Sequence, residues 1–198
     1  MKTTASLAVL FLFNLFSFTS FAQGEAAVPF LLINPSPSLS AMGATGTALP
    51  TEDPFGFLWN PAQLGYTSQT NNLSYIFYPS KVDWLGFGWL ELKGAALNVG
   101  YNFKDIIGVP LSFGFGYANS DFDYGTTDII EPPSAPEKDY YDAYSFGLGF
   151  DYFVQLNAGF TIKDVTSIIK YYGVSGLEEV TAKSTVNDFG ILLNVPAL

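Results

Sequence analysis

Strict alternation of large and small residues constrains this chain more than any other feature of its sequence. Successive side chains of a β-strand point to opposite faces, so a period of two predicts strands. Four segments alternate clearly: Gly94–Phe103, Val109–Ala118, Tyr144–Tyr152 and Val154–Lys163. Weaker candidates are Asn72–Tyr78, Trp84–Glu91 and Val186–Val195, with Ile168–Tyr172 as a possible eighth strand. The pattern predicts an all-β fold of about seven or eight strands.

The smaller face of these strands distinguishes a membrane sheet from a soluble one. A soluble strand presents Lys, Glu, Arg or Thr to water. In the first three segments this face is mostly Gly, Ala, Ser and Asn, and only Asp151 is charged. Small residues facing a crowded lumen and large ones facing lipid are typical of a transmembrane barrel. We therefore predict an antiparallel transmembrane β-barrel over residues 67–198; the alternative is a soluble β-protein.

Aromatic residues near the predicted strand ends agree with this prediction, because Tyr and Phe collect at both membrane interfaces. They are Tyr101, Phe103, Tyr117, Tyr144 and Tyr152.

The composition excludes several functions. The chain carries 8 Lys+Arg against 18 Asp+Glu, a formal charge of −10, so it repels nucleic acid. It has no histidine and no cysteine, which removes Ser–His–Asp triads, thiolate nucleophiles and His/Cys zinc sites. Carboxylate-only chemistry remains open, but no carboxylate pair is placed for it. We expect neither an enzyme nor a cofactor.

Residues 1–22 have the features of a secretory signal peptide. Lys2 gives the short positive region, and Leu7–Phe18 gives an apolar stretch shorter than the ~20 residues of a spanning helix. Ser20 and Ala22 precede the predicted cleavage site before Gln23. The alternative is an uncleaved membrane anchor. Together with the strands, this predicts export to the outer membrane of a Gram-negative bacterium, with outer-membrane lipid as a partner.

Residues 23–66 do not alternate and are interrupted by prolines, yet they are too apolar for a linker. We predict a compact plug inside or across the barrel. Asn60-Pro61 should begin a short helix or turn, because asparagine is a good N-cap and proline suits the first helical position.

The motifs of this segment resemble a known family. Met42-Gly43-Ala44-Thr45-Gly46 and Asp53-Pro54-Phe55-Gly56-Phe57-Leu58-Trp59-Asn60-Pro61-Ala62-Gln63-Leu64 resemble the N-terminus of the PorV/PorQ family, within the FadL-like group of outer-membrane barrels. The plug motif of the resemblance is Met42, Gly43, Gly46, Asn60, Pro61, Ala62 and Leu64.

This resemblance implies an N-terminal hatch and a barrel of about fourteen strands. It implies a role in type IX protein secretion, by binding exported cargo or secretion-system subunits. In the FadL branch it implies uptake of hydrophobic compounds instead. Because the chain has about half of those strands, we predict the N-terminal part of a longer protein. The alternative is a complete eight-stranded barrel, whose interior a plug of ~40 residues would overfill.

Candidate site residues lie on the polar face and in one loop. Asn98, Asn102, Asn157 and Lys163 should line the lumen, touching a substrate or, as we favour, packing against the plug. Asp121 and Asp123 are weak candidates for calcium in the acidic stretch Asn119–Tyr141; a solvated loop is favoured, since EF-hand spacing is missing.

The sidedness of this stretch is open in the sequence. Its length puts it outside the cell, whereas four strands counted from a periplasmic N-terminus put it inside. Loop length carries more weight, because the strands before Trp84 are the least certain and one further strand there would reverse the count. Tight turns are predicted at Leu92–Gly94 and Phe153–Gln155.

Overall fold

The computed structural model describes residues 29–33, 35–43, 45–78, 82–83, 91–125, 137–173 and 176–195. In these residues the chain forms a mostly antiparallel β-sheet preceded by a short helical segment, and the predicted all-β class is confirmed. The predicted signal peptide, residues 1–22, lies outside the described residues.

None of the helices in the described ranges has the length and apolar character needed to cross a membrane.

The sheet has seven strands in the described part of the chain, joined as a meander. They are β1 (Leu73–Phe77), β2 (Val82–Asp83), β3 (Glu91–Asn102), β4 (Leu111–Asp123), β5 (Lys138–Asp151), β6 (Gln155–Gly173) and β7 (Gly176–Asn194). The order is β1-β3-β4-β5-β6-β7, and β2 also pairs with β3. The sheet is not closed: within the described residues, β7 is one edge, and β1 with β2 is the other.

Two predicted boundaries are wrong because pairing continues through them. Leu92–Gly94 is not a turn but part of β3, since alternation of buried and exposed residues runs through it. Ile168–Tyr172 is not a separate strand but part of β6, which pairs with β7 without interruption. The predicted strand Trp84–Glu91 lies outside the described residues except for Glu91, which begins β3.

The acidic stretch is shorter than predicted, because β4 continues to Asp123 and β5 begins at Lys138. β1 and β2 pair one after the other along β3, with Phe77 opposite Ala95 and Val82 opposite Leu92, so they form one interrupted strand. Three strands then precede the stretch, rather than four. In a barrel with a periplasmic N-terminus, a count of three strands would put the stretch on the same side as its length does.

The segment before the sheet, residues 29–72, is here called the N-terminal segment. It contains α1 (Pro37–Ala41), α2 (Gln63–Thr67) and 3-10 turns at Pro29–Leu32, Thr45–Thr47, Gly56–Leu58 and Ser68–Thr70. A third helix, α3 (Lys104–Ile107), connects β3 to β4. The helical part thus continues past residue 66, and the first strand begins only at Leu73.

The N-terminal segment packs on one face of the sheet, here called the covered face; the opposite face is the open face. Along β5, for example, Ser145, Gly147 and Gly149 are buried, whereas Phe146 and Leu148 are exposed. An apolar core lies between segment and sheet. Its largest members are Phe30, Phe55, Phe57, Phe122 and Tyr141, with Leu64 and Leu92 beside them.

Candidate functional site

Five glycines form a row across the covered face. Gly100 of β3 is opposite Gly114 of β4, which is opposite Gly147 of β5. Gly147 is in turn opposite Gly159 of β6, which is opposite Gly190 of β7. Because glycine has no side chain, this glycine row is a shallow groove that crosses five strands at one level.

The stretch from Asn60 to Asn72 lies along the glycine row. The closest pairs are Gly100 with Asn72, Gly114 with Ser68, Gly147 with Gly65, Gly159 with Pro61, and Gly190 with Asn60. A Cβ added to Gly147 would lie 2.5 Å from the nitrogen of Gly65 and 2.6 Å from Cβ of Leu64. These distances are too short for any side chain, so the close approach of helix and strand backbones requires glycine.

Polar side chains hold the segment on both sides of the glycine row. Towards the ends of the strands near the acidic stretch, Asn98 Nδ2 donates to the Pro54 carbonyl at 3.1 Å. On the other side, Ser112 Oγ donates to the Gly65 carbonyl at 2.9 Å. Buried polar groups are costly unless paired, so these bonds favour one position of the segment on the sheet.

The four residues predicted to face a lumen all contact the N-terminal segment. Besides Asn98, the side chain of Asn102 donates to the Gln69 carbonyl at 2.9 Å. Asn157 Oδ1 accepts from Gln69 Nε2 at 3.2 Å. Lys163 Nζ lies 3.4 Å from the Leu58 carbonyl oxygen. They therefore act together as attachment points.

Lys163 is also the cation of a half-buried ion pair, in which the lysine side chain is nearly buried and the aspartate side chain is 36% exposed. Its Nζ lies 2.6 Å from Asp188 Oδ2 on the neighbouring strand. Leu31, Leu58 and Trp59 line, with Lys163, an apolar cleft of about 300 Å³ between segment and sheet. Asp188 compensates the positive charge of Lys163 at the wall of this cleft.

The two halves of the plug motif contact each other. A Cβ on the buried Gly46 would lie 2.9 Å from the Trp59 ring, so this glycine allows the indole to pack on the backbone. Gly43 has a positive φ of 73°, which suits a turn after α1. Met42 is exposed at the C-cap of α1, whereas Leu64 is buried against the sheet.

Asn60 is the polar centre of the motif. Its Oδ1 accepts from the Ala62 amide at 3.0 Å, which caps the turn that Pro61 begins. Its Nδ2 donates to the carbonyls of Thr47 at 2.7 Å and Ile191 at 3.2 Å. One buried side chain thus joins the turn, the preceding segment and β7.

Replacing Asn60 by aspartate separates these roles. Asn60→Asp keeps the acceptor for Ala62 but loses both donors and places a charge beside two carbonyl oxygens. We expect the free energy of unfolding in detergent to fall by about 2 kcal/mol, measured by urea titration. Asn187→Asp, at an exposed position of β7, is the matched control and should change little. Equal losses in both variants would contradict this role for Asn60.

Two glutamines with structural roles escaped the sequence analysis. Buried Gln63 donates to the carbonyls of Gly46 at 3.0 Å and Leu49 at 2.7 Å, and accepts from the Thr51 amide at 3.1 Å. Gln69 joins Asn102, Asn157 and Gln155. Gln63 lies between Ala62 and Leu64 of the plug motif. Its amide side chain among apolar residues was the sequence signal that could have identified it.

The weak metal candidates have other partners. Asp121 forms an ion pair with Lys138 at 2.8 Å, and Asp123 Oδ1 accepts from the Gly125 amide at 3.0 Å. In the described ranges, no three His, Cys, Asp or Glu side chains are grouped to hold a metal ion.

Glu137, just before β5, makes stability depend weakly on pH. Desolvation, and secondly the nearby charge of Asp139, raise the pKa of Glu137. A carboxyl with a raised pKa in the folded state binds more protons folded than unfolded, so stability falls as pH rises from its unfolded pKa through its folded pKa. Solvent screening keeps the effect small, since Glu137 is only partly buried. Urea titrations across this range should slope downwards with pH, and Glu137→Gln should flatten them; an unchanged slope would contradict the assignment.

A scan of protein-family models and searches of curated proteins and of solved structures found no match for this chain. The family resemblance of the N-terminal motifs therefore stays a prediction.

Proposed function

We propose that this chain forms the wall and plug of an outer-membrane β-barrel of PorV/PorQ type, which binds cargo or partner proteins in type IX secretion. The proposed membrane location rests on one observation, the open face of the sheet, where large apolar side chains are exposed together. The binding role rests on the motif resemblance and on the firmly attached segment.

The apolar side chains of the open face form continuous rows across the strands. The central row is Leu73, Val99, Phe115, Phe146, Phe160 and Phe189, which are cross-strand neighbours from β1 to β7. Phe189 is 81% exposed. The next row is Tyr101, Phe113, Leu148, Ala158 and Ile191. In water such a patch would drive association, whereas in a bilayer it faces acyl chains. We call these rows the belt.

The borders of the belt support this placement. On the side of the acidic stretch, Tyr75, Tyr117 and Tyr144 lie in one cross-strand row around Leu97. Beyond them come charged residues such as Asp142 and Asp164. Tyr101 and Tyr152 lie towards the other border. Two tyrosine borders around an apolar band are typical of membrane barrels.

The free edges fit a barrel only when further strands pair with them. An unpaired N–H or C=O group in lipid costs several kcal/mol, so β1 and β7 would need strand partners in a membrane. With the long 124–137 connection outside and the connections 103–110 and 152–154 inside, β1 begins on the periplasmic side.

The contacts of the N-terminal segment favour binding over open passage. The segment occupies the glycine row, with polar attachments on both sides. The alternative, a FadL-like channel for hydrophobic compounds, is supported by the apolar cleft beside Lys163.

Flotation with lipid vesicles tests the membrane assignment. Refolded full-length chain should float with the vesicles, resist extraction by salt and alkali, and keep a β-type circular dichroism spectrum. A chain that stays monomeric and folded in buffer without detergent would refute the proposal.

Two further assays separate the functional alternatives. Secreted cargo or secretion-machinery subunits should co-purify with the protein from detergent extracts if it serves secretion. A deletion strain should instead take up less fatty acid or hydrocarbon if the protein is a channel.

A further inference from the structure

Two connections at the same end of the sheet carry exposed apolar side chains. One is the β3–β4 connection, which contains α3, and the other is the β5–β6 turn at residues 152–154. Ile106 is 67% exposed and Phe153 is 81% exposed. The complete set is Ile106, Ile107, Val109, Tyr152, Phe153 and Val154. Connections that face water are usually built from Gly, Pro, Asn, Asp and Ser, so this composition requires another explanation.

The apolar surface of the belt continues into both connections. The Phe150 ring lies 6.4 Å from the Tyr152 ring, which lies 4.3 Å from the Phe153 ring. In the other connection, the rings of Tyr101 and Phe103 are 5.1 Å apart. Aromatic contacts thus lead from β5 to the tip of the β5–β6 turn, and from β3 to Phe103 at the start of the other connection.

The height of the belt also leaves room for these side chains in the bilayer. From Tyr144 to Phe150 the strand rises about 20 Å, at ~3.3 Å per residue. A tilt of ~40° reduces this to about 15 Å along the membrane normal, against ~25 Å for the apolar band of outer-membrane barrels. The remaining ~10 Å leaves room for the apolar side chains of the connections.

The charges of α3 suit a membrane interface. Exposed Lys104 and Asp105 precede the exposed pair Ile106 and Ile107 in the same short helix. A lysine stem can extend along apolar surface while its ammonium group reaches a lipid phosphate. Such a mixture of charged and apolar residues is typical of segments that lie in the interface.

We propose that α3 and the Tyr152–Val154 turn form a collar that inserts into the phospholipid leaflet at this end of the barrel. The Ile, Val and Phe side chains enter the part of the acyl chains nearest the headgroups, and Lys104 contacts headgroup phosphate. This collar rests on the proposed membrane insertion of the belt.

Single-cysteine labelling tests the collar, because the chain has no cysteine of its own. Full-length Ile106→Cys and Phe153→Cys variants carry a bimane label and are reconstituted into phosphatidylcholine vesicles containing phosphatidylglycerol. The acyl chains are brominated either close to the headgroup or close to the chain end. Leu148→Cys in the belt is the deep control, and Glu179→Cys on the β6–β7 hairpin is the water control.

The collar predicts that labels at 106 and 153 lose fluorescence to the shallow bromines and are protected from aqueous iodide. The collar is overturned if iodide alone quenches the labels at both positions while the deep bromines quench Leu148→Cys. That result leaves the belt intact. A water-phase partner would then be the occupant of this face. Absence of lipid quenching at Leu148→Cys as well overturns both the collar and the proposed membrane insertion.

Discussion

A Gly159→Val variant should lose the docking of the N-terminal segment on the sheet. A Cβ at this position would fall on the Pro61 carbonyl group and lie 2.7 Å from the Ala62 nitrogen. These are backbone atoms at the start of a capped turn, so no rotamer change relieves the overlap. We expect the free energy of unfolding to fall by about 3 kcal/mol or more, measured by urea titration in detergent micelles.

Ala158→Val is the matched control, because it adds a β-branched side chain to the same strand on the open face. It should leave stability nearly unchanged. Limited proteolysis provides the second measurement: cleavage within residues 29–72 should become faster in Gly159→Val alone. Wild-type protection of this segment in the variant would refute the role of the glycine row.

A Leu148→Arg variant should no longer insert stably into lipid. Leu148 lies in the belt between Phe113 and Ala158 on neighbouring strands. An arginine near the middle of a bilayer costs a membrane barrel about 2–4 kcal/mol. The fraction of chain that floats with vesicles after refolding should drop sharply.

Val180→Arg is the control for this change, since Val180 lies on the part of the β6–β7 hairpin that projects beyond the belt. It replaces an exposed aliphatic residue by arginine at a position that we assign to water. Equal flotation of Leu148→Arg and Val180→Arg would show that the open face does not contact acyl chains.

Alternation of large and small residues was sufficient to predict the strands of the belt, because successive side chains of these strands face two different environments. It failed in the first half of β7, where Glu179 and Lys183 are exposed and the residues show no apolar period of two. It also misplaced a turn at Leu92–Gly94, because a glycine on the covered face looks like a turn residue in sequence alone.

The glycine row could not be predicted, although each of its glycines was visible as a small residue. Its existence depends on register, and register depends on the lengths of connections such as Phe103–Pro110 and Tyr152–Val154. A shift by two residues in one hairpin would move Gly147 away from Gly114 and break the groove. Contacts distant in sequence, such as Gln69 with Asn157, were invisible for the same reason.

The site occupied by Asn60 also affects the order of folding. Asn60 is synthesised early, yet its partner Ile191 is 131 residues further along the chain. The groove that receives the segment spans β3 to β7, so it is incomplete until β7 has paired with β6. Contacts between residues so far apart in sequence slow folding, because the intervening chain loses conformational entropy before the contacts form. The N-terminal segment can therefore complete its docking only after β7 has paired, and until then its apolar residues need protection from aggregation.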